Sequence, residues 1–587
     1  MELDSVTLTV LERKLDSIAR EMGIIMRRAS RSPIFSQSHD FSCFLADARG
    51  RLISVADGIP IHTGGGGFAV ERVLAYWGDD IHPGDVFLSN DPYAALGNHL
   101  PDWTVMNPVF HEGALVAFAC NRAHQVDIGG GMPGTYNSNA VEIFDEGIRI
   151  PPIKLYERGV FRRDVWDMIA LNTRAPQTVT GDVGAMVGSI RIGARRLQEI
   201  LEEYGREGTV AYFDGLLDYA ERRMRAELSS FPDGSWTGVE VMNNDVFTRR
   251  EVKIVATVTV KGSDVTVDFT GTDPCMRSFK NSSFANTYSA VFVAFACLVD
   301  LSIPKNQGMF RPIRLVMPAG TVVNPDPPAP LTYSTVFPAI QIIHACWKAL
   351  AQAVPDRVSA GWGVPSYPTM AGYRNGESYI LYHWAGSAGV GGIKGRDGFE
   401  TLGSLNTLGG IVLPDVELYE QVYPVQYRRW EFRPDGAGAG EFRGGTGVVY
   451  EIAVTEPAKW GLRGEGFYTP TGFGTNGGLP GREAVSVLNP GTPEEEPTPQ
   501  YAIQERGPTV YRLESPGGGG WGSPLRRDPE AVRRDVVNEL VSPEAARDVY
   551  GVVLEPGTLA IDDAATAERR RELGNGANPS TFDGRGA

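Results

Sequence analysis

The sequence predicts a mixed α/β fold of the α+β kind, with several layers, many strands, glycine-rich loops and several buried helices. Three observations support this prediction. In some segments apolar residues recur every three or four positions, as on one face of a helix, whereas in others they alternate with polar residues, as in a strand. Glycine (70) and proline (40) are frequent among the 587 residues and place turns between short elements. The longest apolar stretches, such as 290–299, fit buried elements and are shorter than the roughly 20 residues that span a bilayer.

The first predicted domain, 1–230, begins with a helix and continues with strands. The helix is indicated by apolar residues at spacings of four, three, four and three: Leu11, Leu15, Ile18, Met22 and Ile25. Apolar runs at 41–46 and 51–55 flank Asp47-Ala-Arg-Gly50, a pattern typical of a β-hairpin. Apolar positions that return every three or four residues predict further helices over 191–204 and 215–228.

The predicted central domain, 231–385, combines a hairpin with two helices. Strand-like alternation at 252–260 and 265–269 flanks Lys261-Gly-Ser263 and predicts an antiparallel pair. The apolar segments 288–301 and 339–353 are long enough to form buried helices.

A glycine-rich domain dominated by strands is predicted at 386–555. Within it, 490–499 contains three consecutive glutamates and four prolines, which is typical of a surface loop. The charged, glycine-rich segment 556–587 is predicted to be a flexible C-terminal tail, and a partner-binding tail is the alternative.

Composition excludes several classes of protein. Acidic residues (71) outnumber basic ones (55), giving a formal net charge of -16, so no nucleic-acid partner is expected. The five cysteines include no Cys-x-x-Cys pair, which argues against a disulfide framework and a thiolate zinc site. The N-terminus Met1-Glu2-Leu3-Asp4 lacks the basic and apolar regions of a signal peptide. We therefore expect a cytoplasmic protein that does not act at a membrane.

Histidine is unevenly distributed, since six of the eight residues lie within the first 124 positions. His99 and Asp102 lie three residues apart in a Gly/Pro loop, and His124 follows an apolar strand. A hairpin that turns at Glu112-Gly113 would bring His124 back beside the other two side chains. Two imidazoles and one carboxylate form a known ligand set for a divalent metal with open positions. The alternative is that His124 is a structural histidine in a glycine-rich turn.

Other groups near these three in sequence extend the hypothesis. Asp40 is a candidate fourth ligand, although a lone Asp before a strand is often a turn cap. His39 and His62 are candidate acid/base groups. Four glycines at 64–67 precede an apolar helix at 68–76, and their amides would either hold an anion or form a flexible turn.

Two common motifs are missing from the sequence. No Gly-x-x-x-x-Gly-Lys-Ser/Thr occurs, and the four glycines at 517–520 are followed by Trp521 instead of Lys, so a phosphate-binding loop is not supported. There is also no Gly-x-Ser-x-Gly elbow for a serine hydrolase.

The candidate residues belong to a series of motifs spread along the chain: Asp40-Phe-Ser-Cys43, Asn90-Asp-Pro-Tyr93, His99-Leu-Pro-Asp102, Arg122-Ala-His124, Asp127-Ile-Gly-Gly130, Glu146-Gly-Ile-Arg-Ile-Pro-Pro-Ile-Lys154, Asn172-Thr-Arg174, Phe269-Thr-Gly-Thr-Asp273, Ile303-Pro-Lys-Asn-Gln-Gly308, Arg443-Gly-Gly-Thr-Gly447 and Ser515-Pro-Gly-Gly-Gly-Gly-Trp-Gly522. With these motifs in this order, from near residue 5 to about residue 553, the chain resembles the hydantoinase B/oxoprolinase family. That family comprises the second subunits of ATP-dependent hydantoinases and lactamases, the C-terminal half of 5-oxoprolinase, and related subunits of acetone and acetophenone carboxylases.

The resemblance implies a division of labour between subunits. In the family the ATP-dependent step belongs to a separate hydantoinase A-like partner, which agrees with the missing phosphate-binding loop. That partner would use ATP to phosphorylate the carbonyl oxygen of a small cyclic amide, a hydantoin or lactam. This chain would then hydrolyse the activated compound within a hetero-oligomer. A subunit of an acetophenone-type ketone carboxylase is the alternative among enzymes, and a non-catalytic scaffold for the ATP-using partner is the third hypothesis.

The resemblance also implies a divalent metal, which would be zinc, manganese or iron. The family's ligands match His99, Asp102 and His124, and Asp40 is the candidate for a fourth. Such a metal lowers the pKa of water toward neutrality, and Asp127 or His39 would carry the proton.

Two departures from the family pattern lie close to this site. Many hydrolytic members resemble Arg-Ala-His-His-Ala-Asp where this chain has Arg122-Ala-His-Gln-Val-Asp127, so Gln125 replaces a second imidazole. The glycines at 64–67 replace a small apolar or Ser-containing stretch. Both departures leave the choice between hydrolase and carboxylase open.

Overall fold

The structure, a computed structural model, describes residues 4–55, 58–366, 368–382 and 386–575. Its α-helices in chain order are α1 Ser5–Ala29, α2 Pro33–Ser36, α3 Pro60–Thr63, α4 Gly66–Trp77, α5 Arg163–Ala170, α6 Pro176–Leu228, α7 Phe284–Ala296, α8 Ala339–Leu350, α9 Val416–Val422, α10 Pro529–Val537, α11 Pro543–Asp548 and α12 Asp563–Asn575. Its strands are β1 Phe41–Asp47, β2 Leu52–Val55, β3 Val86–Ser89, β4 Asp102–His111, β5 Ala114–His124, β6 Ile153–Glu157, β7 Val160–Phe161, β8 Gly234–Met242, β9 Val252–Lys261, β10 Asp264–Asp268, β11 Ile313–Val316, β12 Thr369–Arg374, β13 Glu377–Tyr382, β14 Val425–Phe432, β15 Val448–Val454, β16 Ala458–Arg463, β17 Val485–Leu488, β18 Glu496–Pro497, β19 Tyr501–Arg506 and β20 Thr509–Glu514. Helices and several sheets in one chain confirm the predicted fold class.

A seven-stranded antiparallel sheet, in the order β2-β1-β5-β4-β3-β6-β7, contains the first strands of the chain. Helix α1 contacts α6 and β1, and α6 contacts β4 and β5. The helix begins where Asp4 accepts hydrogen bonds from the amides of Val6 and Thr7. Its buried residues lie on one face: Leu11, Leu15, Ile18, Met22 and Met26. The predicted first helix and the hairpin over 41–55 are confirmed.

Helix α6, Pro176–Leu228, consists of two helical segments that meet at a kink at Gly205, which has the non-helical angles φ 68 and ψ 167. Because glycine lacks a Cβ, it adopts this conformation without steric cost. The two segments confirm the helices predicted over 191–204 and 215–228, with longer bounds.

A second sheet, in the order β11-β10-β9-β8, lies against the buried helix α8. Helix α8 contacts β8 and β9, and α7 packs against α8. The antiparallel pairing of β9 with β10 confirms the predicted hairpin. Helices α7 and α8 confirm the two predicted buried helices, although α7 begins and ends earlier than predicted and α8 ends earlier.

The remaining strands form two further sheets, a third in the order β13-β12-β16-β19 and a fourth in the order β14-β15-β20-β17-β18. Strand β12 pairs with both β13 and the distant β16. A domain boundary at 385 would therefore divide one sheet between two domains. The domain boundaries stay a prediction.

The glycine-rich segments pack backbone against backbone. Residues 517–520 are buried and lie outside the strands. The amide of Gly519 donates to the carbonyl of Gly361 at 2.8 Å. A Cβ on Gly518 would lie 2.1 Å from the carbonyl oxygen of Val390. Only glycine permits this approach, which explains the glycine content in terms of packing.

The segment predicted as a flexible tail, 556–587, contains helix α12. Arg570 of this helix donates from Nη2 to the carbonyl of Arg527 at 2.6 Å. The hydroxyl of Thr566 accepts from the amide of Val553 at 3.0 Å. These contacts attach the helix to the preceding residues, and 576–587 lie outside the described residues. The flexibility of the tail stays a prediction.

Within the described ranges, no helix combines the length and apolarity needed to cross a bilayer.

Candidate metal site

Strands β4 and β5 form the hairpin that positions the candidate site. Their register places Asp102 directly opposite His124. The turn contains Glu112 and Gly113, both with positive φ, at 49 and 78. Two left-handed residues in succession allow a tight two-residue hairpin turn. The predicted hairpin is confirmed, and the approach of His124 to Asp102 follows from strand pairing.

Three side chains meet at the start of β4. His99 Nε2 lies 2.8 Å from Asp102 Oδ1, and His124 Nδ1 lies 3.3 Å from the same oxygen. One ligand atom from each residue lies within 4.8 Å of the other two. We call this group the His99–Asp102–His124 cluster.

The cluster is buried and leaves polar atoms without hydrogen bonds. His99, Asp102 and His124 are 1%, 0% and 2% exposed. Among the described residues, His99 Nε2 and both carboxylate oxygens of Asp102 have no hydrogen bond of acceptable geometry. Buried polar atoms are nearly always paired. Atoms that converge without a donor between them fit a divalent cation, and two imidazoles with a carboxylate suit zinc, manganese or iron.

His62 joins Asp40 to this cluster. Its Nε2 lies 3.2 Å from Asp102 Oδ2 and 3.6 Å from Asp40 Oδ1. Arg122 Nη1 donates to the carbonyl oxygen of His62 at 2.7 Å and so fixes its backbone. Asp40 therefore approaches the cluster through His62, which the sequence indicated only as an acid/base candidate.

The electrostatics of the site follow from its burial. Burial lowers the pKa of His62 and of His124 to about 4, so both imidazoles are neutral at neutral pH. Burial, together with the charge of Asp102, raises the pKa of Asp40 to about 8. Burial by itself would raise the pKa of Asp102. The adjacent imidazoles of His62 and His99 outweigh burial and hold this pKa well below the usual value. Burial lowers the pKa of His99 too, but the charge of Asp102 outweighs it, so the pKa of His99 is raised. Metal binding requires an ionised carboxylate and neutral imidazoles, so a metal would displace a proton from His99.

A distant carbonyl orients the ring of His99. His99 Nδ1 is hydrogen-bonded to the carbonyl oxygen of Thr332, so Nδ1 carries the proton and Nε2 presents a lone pair to the cluster. Glu146 in turn accepts hydrogen bonds from the amides of Leu331 and Thr332, at 3.0 and 2.7 Å. This segment holds the histidine tautomer in place.

An aromatic wall encloses the other side of the cluster. The ring of Tyr136 stacks on His124 with centroids 5.7 Å apart, and Tyr382 meets His124 edge-on at 5.6 Å. The guanidinium carbon of Arg463 lies 3.6 Å from the ring centroid of Tyr136. The sequence analysis missed these residues because no motif or spacing relates them to His124.

Asp127, predicted as a proton carrier, instead holds a loop together. Its carboxylate accepts from the amide of Arg174 at 2.7 Å and from the hydroxyl of Thr173 at 3.1 Å. It also accepts from the amide of Gly129 at 3.2 Å, and Arg174 Nη1 lies 3.2 Å from its second oxygen. Because both oxygens are already occupied by donors, the structure favours a structural role.

His39, the other predicted proton carrier, faces a different environment. It is half-buried, its ring centroid lies 6.2 Å from that of Phe41, and it lines a surface cleft with Arg20 and Arg27. Burial and the charge of Arg27 lower its pKa. The adjacent Asp40 turns toward His62 instead. Proximity in sequence therefore did not place His39 in the cluster.

The substitution at Gln125 lies outside the cluster. Its side chain is fully buried, and Nε2 donates to the carbonyl of Ala123 at 3.2 Å and approaches Met186 Sδ at 3.5 Å. Met186 belongs to α6. Because Gln125 directs its side chain toward this helix, it does not remove a group from the cluster.

The glycines at 64–67 allow close packing against α7. A Cβ on Gly64 would lie 2.8 Å from the Cα of Ser289. The amide of Gly65 already donates to Ser289 Oγ at 2.8 Å. Of the two hypotheses for this run, the contacts support neither a flexible turn nor an anion site at this amide.

Comparisons with known proteins place the chain in a family. The model of the family described as hydantoinase B/oxoprolinase matches residues 4–524. The beta chain of the caprolactamase of Pseudomonas jessenii is 35% identical over 97% of this chain and 99% of its own length. One subunit of the putative D-/L-hydantoinase of Pseudomonas sp. (strain NS671) is 33% identical over 97% of this chain and 98% of its own length.

Solved structures agree with this assignment. The crystal structure of the ATP-dependent caprolactamase from Pseudomonas jessenii matches with a TM-score of 0.90 and 34% identity, over 97% of this chain and 100% of that chain. A nucleotide-free acetone carboxylase matches with a TM-score of 0.87 over 97% of this chain and 83% of that chain. At 21% identity, it shares the fold. On this evidence the chain belongs to the hydantoinase B/oxoprolinase family.

Proposed function

We propose that this chain is the metal-dependent subunit of an ATP-dependent cyclic-amide hydrolase that acts on a hydantoin or lactam. In this proposal a hydantoinase A-like partner phosphorylates the carbonyl oxygen of the substrate. The two subunits work as a cytoplasmic hetero-oligomer. The names of the relatives support the proposal, since one is the beta chain of a caprolactamase and the other is one subunit of a putative hydantoinase.

The His99–Asp102–His124 cluster is the observation that carries the proposal. Its buried atoms without hydrogen bonds fit a divalent metal, with these three residues as ligands. A metal held there would act as a Lewis acid toward a substrate oxygen or a water molecule.

Asp40 is proposed as the fourth ligand of the metal. Burial, and after it the charge of the nearby Asp102, disfavours an ionised Asp40 and raises its pKa to about 8. A cation in the cluster would reverse this effect and favour the ionised form. Asp40 and Asp102 lie on either side of His62. A site that holds positive charge therefore best explains two buried carboxylates so close together.

The remaining residues would position groups and exclude water. Thr332 holds the tautomer of His99, as its carbonyl accepts the Nδ1 proton. Tyr136 and Tyr382 cover His124 and keep bulk water away. We propose His62, instead of His39 or Asp127, as the group that moves a proton, because its Nε2 lies within 3.6 Å of two carboxylates.

Measurement of metal content tests this proposal against a non-catalytic scaffold. The purified chain is expected to contain stoichiometric metal that is lost on His99→Ala and on Asp102→Ala. Full activity of the assembled complex with metal-free chain would refute an active site at the cluster. Product analysis of the complex, with a lactam or with a ketone and bicarbonate, separates a hydrolase from a ketone carboxylase.

A further inference from the structure

Thr135 lies in a buried turn beside His124. Its φ is 71, and across it the amide of Tyr136 donates to the carbonyl of Gly134 at 2.9 Å. A hydrogen bond that spans a single residue of positive φ defines the rare form of the γ-turn, which is strained. Thr135 is β-branched and fully buried. We infer that Thr135 is a positioning residue of the cluster, and that its hydroxyl holds His124 in the tautomer that presents Nδ1 to a metal.

The residue type at this position points to a role for the side chain. Glycine adopts a positive φ without steric cost, and the same region has glycines of positive φ at 129, 130 and 134. At position 135 the chain instead has a β-branched residue, for which this backbone conformation is unfavourable. Strained residues persist where the surrounding structure holds them, and they cluster at functional sites. The strain at Thr135 is therefore explained if its side chain is needed there.

The hydrogen bonds around the turn determine where each proton lies. Tyr382 has one hydroxyl proton, which it donates to the carbonyl of Gly134 at 2.6 Å. In its 3.0 Å contact with Thr135 Oγ1, the oxygen of Tyr382 is therefore the acceptor and the Thr135 hydroxyl is the donor. Because the proton of Thr135 is used in this way, Oγ1 accepts from His124 Nε2, which lies 3.5 Å away. His124 thus carries its proton on Nε2.

A proton on Nε2 leaves the Nδ1 lone pair of His124 directed at the cluster. Nδ1 lies 3.3 Å from Asp102 Oδ1, and this carboxylate would by itself attract the imidazole proton to Nδ1. Among the described residues, Thr135 Oγ1 is the hydrogen-bond partner of Nε2. At 3.5 Å this contact is long for a hydrogen bond, yet it gives a buried N–H an acceptor that the N–H would otherwise lack. Thr135 therefore opposes Asp102 in the choice of tautomer.

The third sheet holds this turn in place. A Cβ on Gly134 would lie 2.6 Å from Thr369 Cγ2 and 3.0 Å from Ile380 Cγ2. Thr369 begins β12, and Ile380 and Tyr382 belong to β13. The first sheet carries the histidine and the third sheet packs on the turn, so the distance between hydroxyl and imidazole is set by the packing of two sheets.

The two imidazoles of the cluster are then oriented through opposite nitrogens. His99 donates from Nδ1 to the carbonyl of Thr332 and presents Nε2. His124 donates from Nε2 to Thr135 and presents Nδ1. Partners of this kind fix the tautomer of histidines that bind metals. The inference rests on the proposed function for its metal, whereas the tautomer of His124 can be measured with or without a metal.

The zinc affinity of the isolated full chain, measured by competition with a chromophoric chelator, tests the role of the hydroxyl. Thr135→Val keeps the shape of the side chain and removes the hydroxyl, and it is expected to weaken zinc binding about 10- to 100-fold. Thr135→Ser retains a hydroxyl and should stay within about threefold of the unchanged chain. Thr135→Gly relieves the backbone strain, so it should fold at least as well, yet it should lose as much affinity as Thr135→Val.

Thr209→Val is the matched control. Thr209 is also a fully buried threonine, but its hydroxyl donates to the carbonyl of Gly205 within α6. Its loss should leave zinc affinity within about twofold of the unchanged chain, since distant sites act independently. Zinc binding that is equal in Thr135→Val and the unchanged chain, or equally weakened by Thr209→Val, would overturn the inference. So would full affinity in Thr135→Gly, because the turn and not the hydroxyl would then matter.

Nitrogen NMR of the chain with isotope-labelled histidine distinguishes a failure of this inference from a failure of the proposed function. Spectra are recorded on zinc-loaded chain and on chain treated with a chelator, and His124→Gln identifies the signals of this ring. The proton is expected on Nε2 in both states, and on Nδ1 in chelator-treated Thr135→Val. A proton on Nδ1 in the unchanged chain would overturn the inference. A proton on Nε2 in a chain that binds no zinc would refute the metal proposal alone.

Discussion

The carboxylate of Asp102 lies at the centre of the candidate site because three imidazoles surround it. His99 and His124 approach Oδ1, and His62 approaches Oδ2. Burial keeps His62 and His124 neutral, whereas at His99 the charge of Asp102 outweighs burial and raises the pKa. The physical reason to assign a metal to the cluster is that its buried ligand atoms converge without hydrogen bonds between them.

A change at His124 tests the division of labour in the assembled complex. His124→Ala is expected to reduce product formation by about 100-fold or more, because metal catalysis contributes several kcal/mol. Substrate-stimulated ATP hydrolysis should persist in part, since the activated compound still forms and decays in water. Product, ATP turnover and metal content are measured together.

Gln125→Ala is the control for His124→Ala. Gln125 is the next residue and is equally buried, but faces Met186. The Gln125→Ala complex should retain its metal and form product at the normal rate. If the His124→Ala complex assembles, retains metal and makes product at the normal rate, His124 is a structural histidine.

Asp127 is expected to contribute to stability rather than to catalysis. Asp127→Ala leaves the donors of Thr173 and Arg174 unpaired and is expected to cost about 2–4 kcal/mol of unfolding free energy. Chemical denaturation and metal analysis check this. Normal stability together with abolished product formation would restore Asp127 as a catalytic residue.

At the scale of elements, glycine determines how closely segments approach. In α6, Gly205 adopts a positive φ and bends the helix. In the buried segment 515–520, glycines allow backbones to hydrogen-bond directly across distances that no side chain permits. The pattern of glycines in the last third of the chain is thus a packing requirement.

The substitution Gly518→Ala tests this requirement. The added Cβ would meet the carbonyl oxygen of Val390 at 2.1 Å and its carbonyl carbon at 2.3 Å, and these backbone atoms cannot rotate away as a side chain would. We expect a loss of about 3 kcal/mol or more, or insoluble protein. Thermal unfolding measures the effect.

Gly507→Ala is the matched control, because nothing lies within 4 Å of a Cβ at that position. Its melting temperature should stay close to that of the unchanged chain. Equal stability of the two variants would show that the close approach at Gly518 is not rigid.

At the scale of the whole molecule, distant segments are joined by buried polar contacts. Lys280 and Glu465 form a buried ion pair, and Tyr501 donates to the same Glu465 oxygen at 2.6 Å. Lys280 Nζ also donates to the carbonyl of Asn244 at 3.1 Å. These contacts connect the second sheet with the third.

Lys280→Met measures the contribution of this connection. Removing the ammonium leaves Glu465 buried without its counter-charge, which typically costs about 3–5 kcal/mol. Lys14→Met, at the exposed pair with Glu203, should change stability by less than about 1 kcal/mol. If the two variants unfold at the same denaturant concentration, the proposed role of the buried pair is contradicted.

The whole chain is also expected to depend on a partner. Because no phosphate-binding loop occurs in the sequence, the purified chain alone should neither hydrolyse ATP nor turn over a lactam. Addition of a hydantoinase A-like partner should restore both reactions. Sustained ATP hydrolysis by the chain alone would refute this division.

The sequence by itself determined the family, the fold class and the central part of the site. Periodicity predicted α1 because this helix buries one apolar face. Long apolar segments predicted α7 and α8, which are buried on nearly all sides. The hairpin that joins Asp102 to His124 was predictable because strand pairing across a two-residue turn is local.

Tertiary structure alone decided which groups surround that hairpin. Thr332, Tyr382 and Arg463 reach the cluster from segments more than 200 residues away in sequence, and no local pattern encodes such contacts. It also separated His39 from Asp40, since a positive φ turned neighbouring side chains to opposite sides. Local spacing predicts what one segment can form, whereas the packing of distant segments decides which side chains share a buried site.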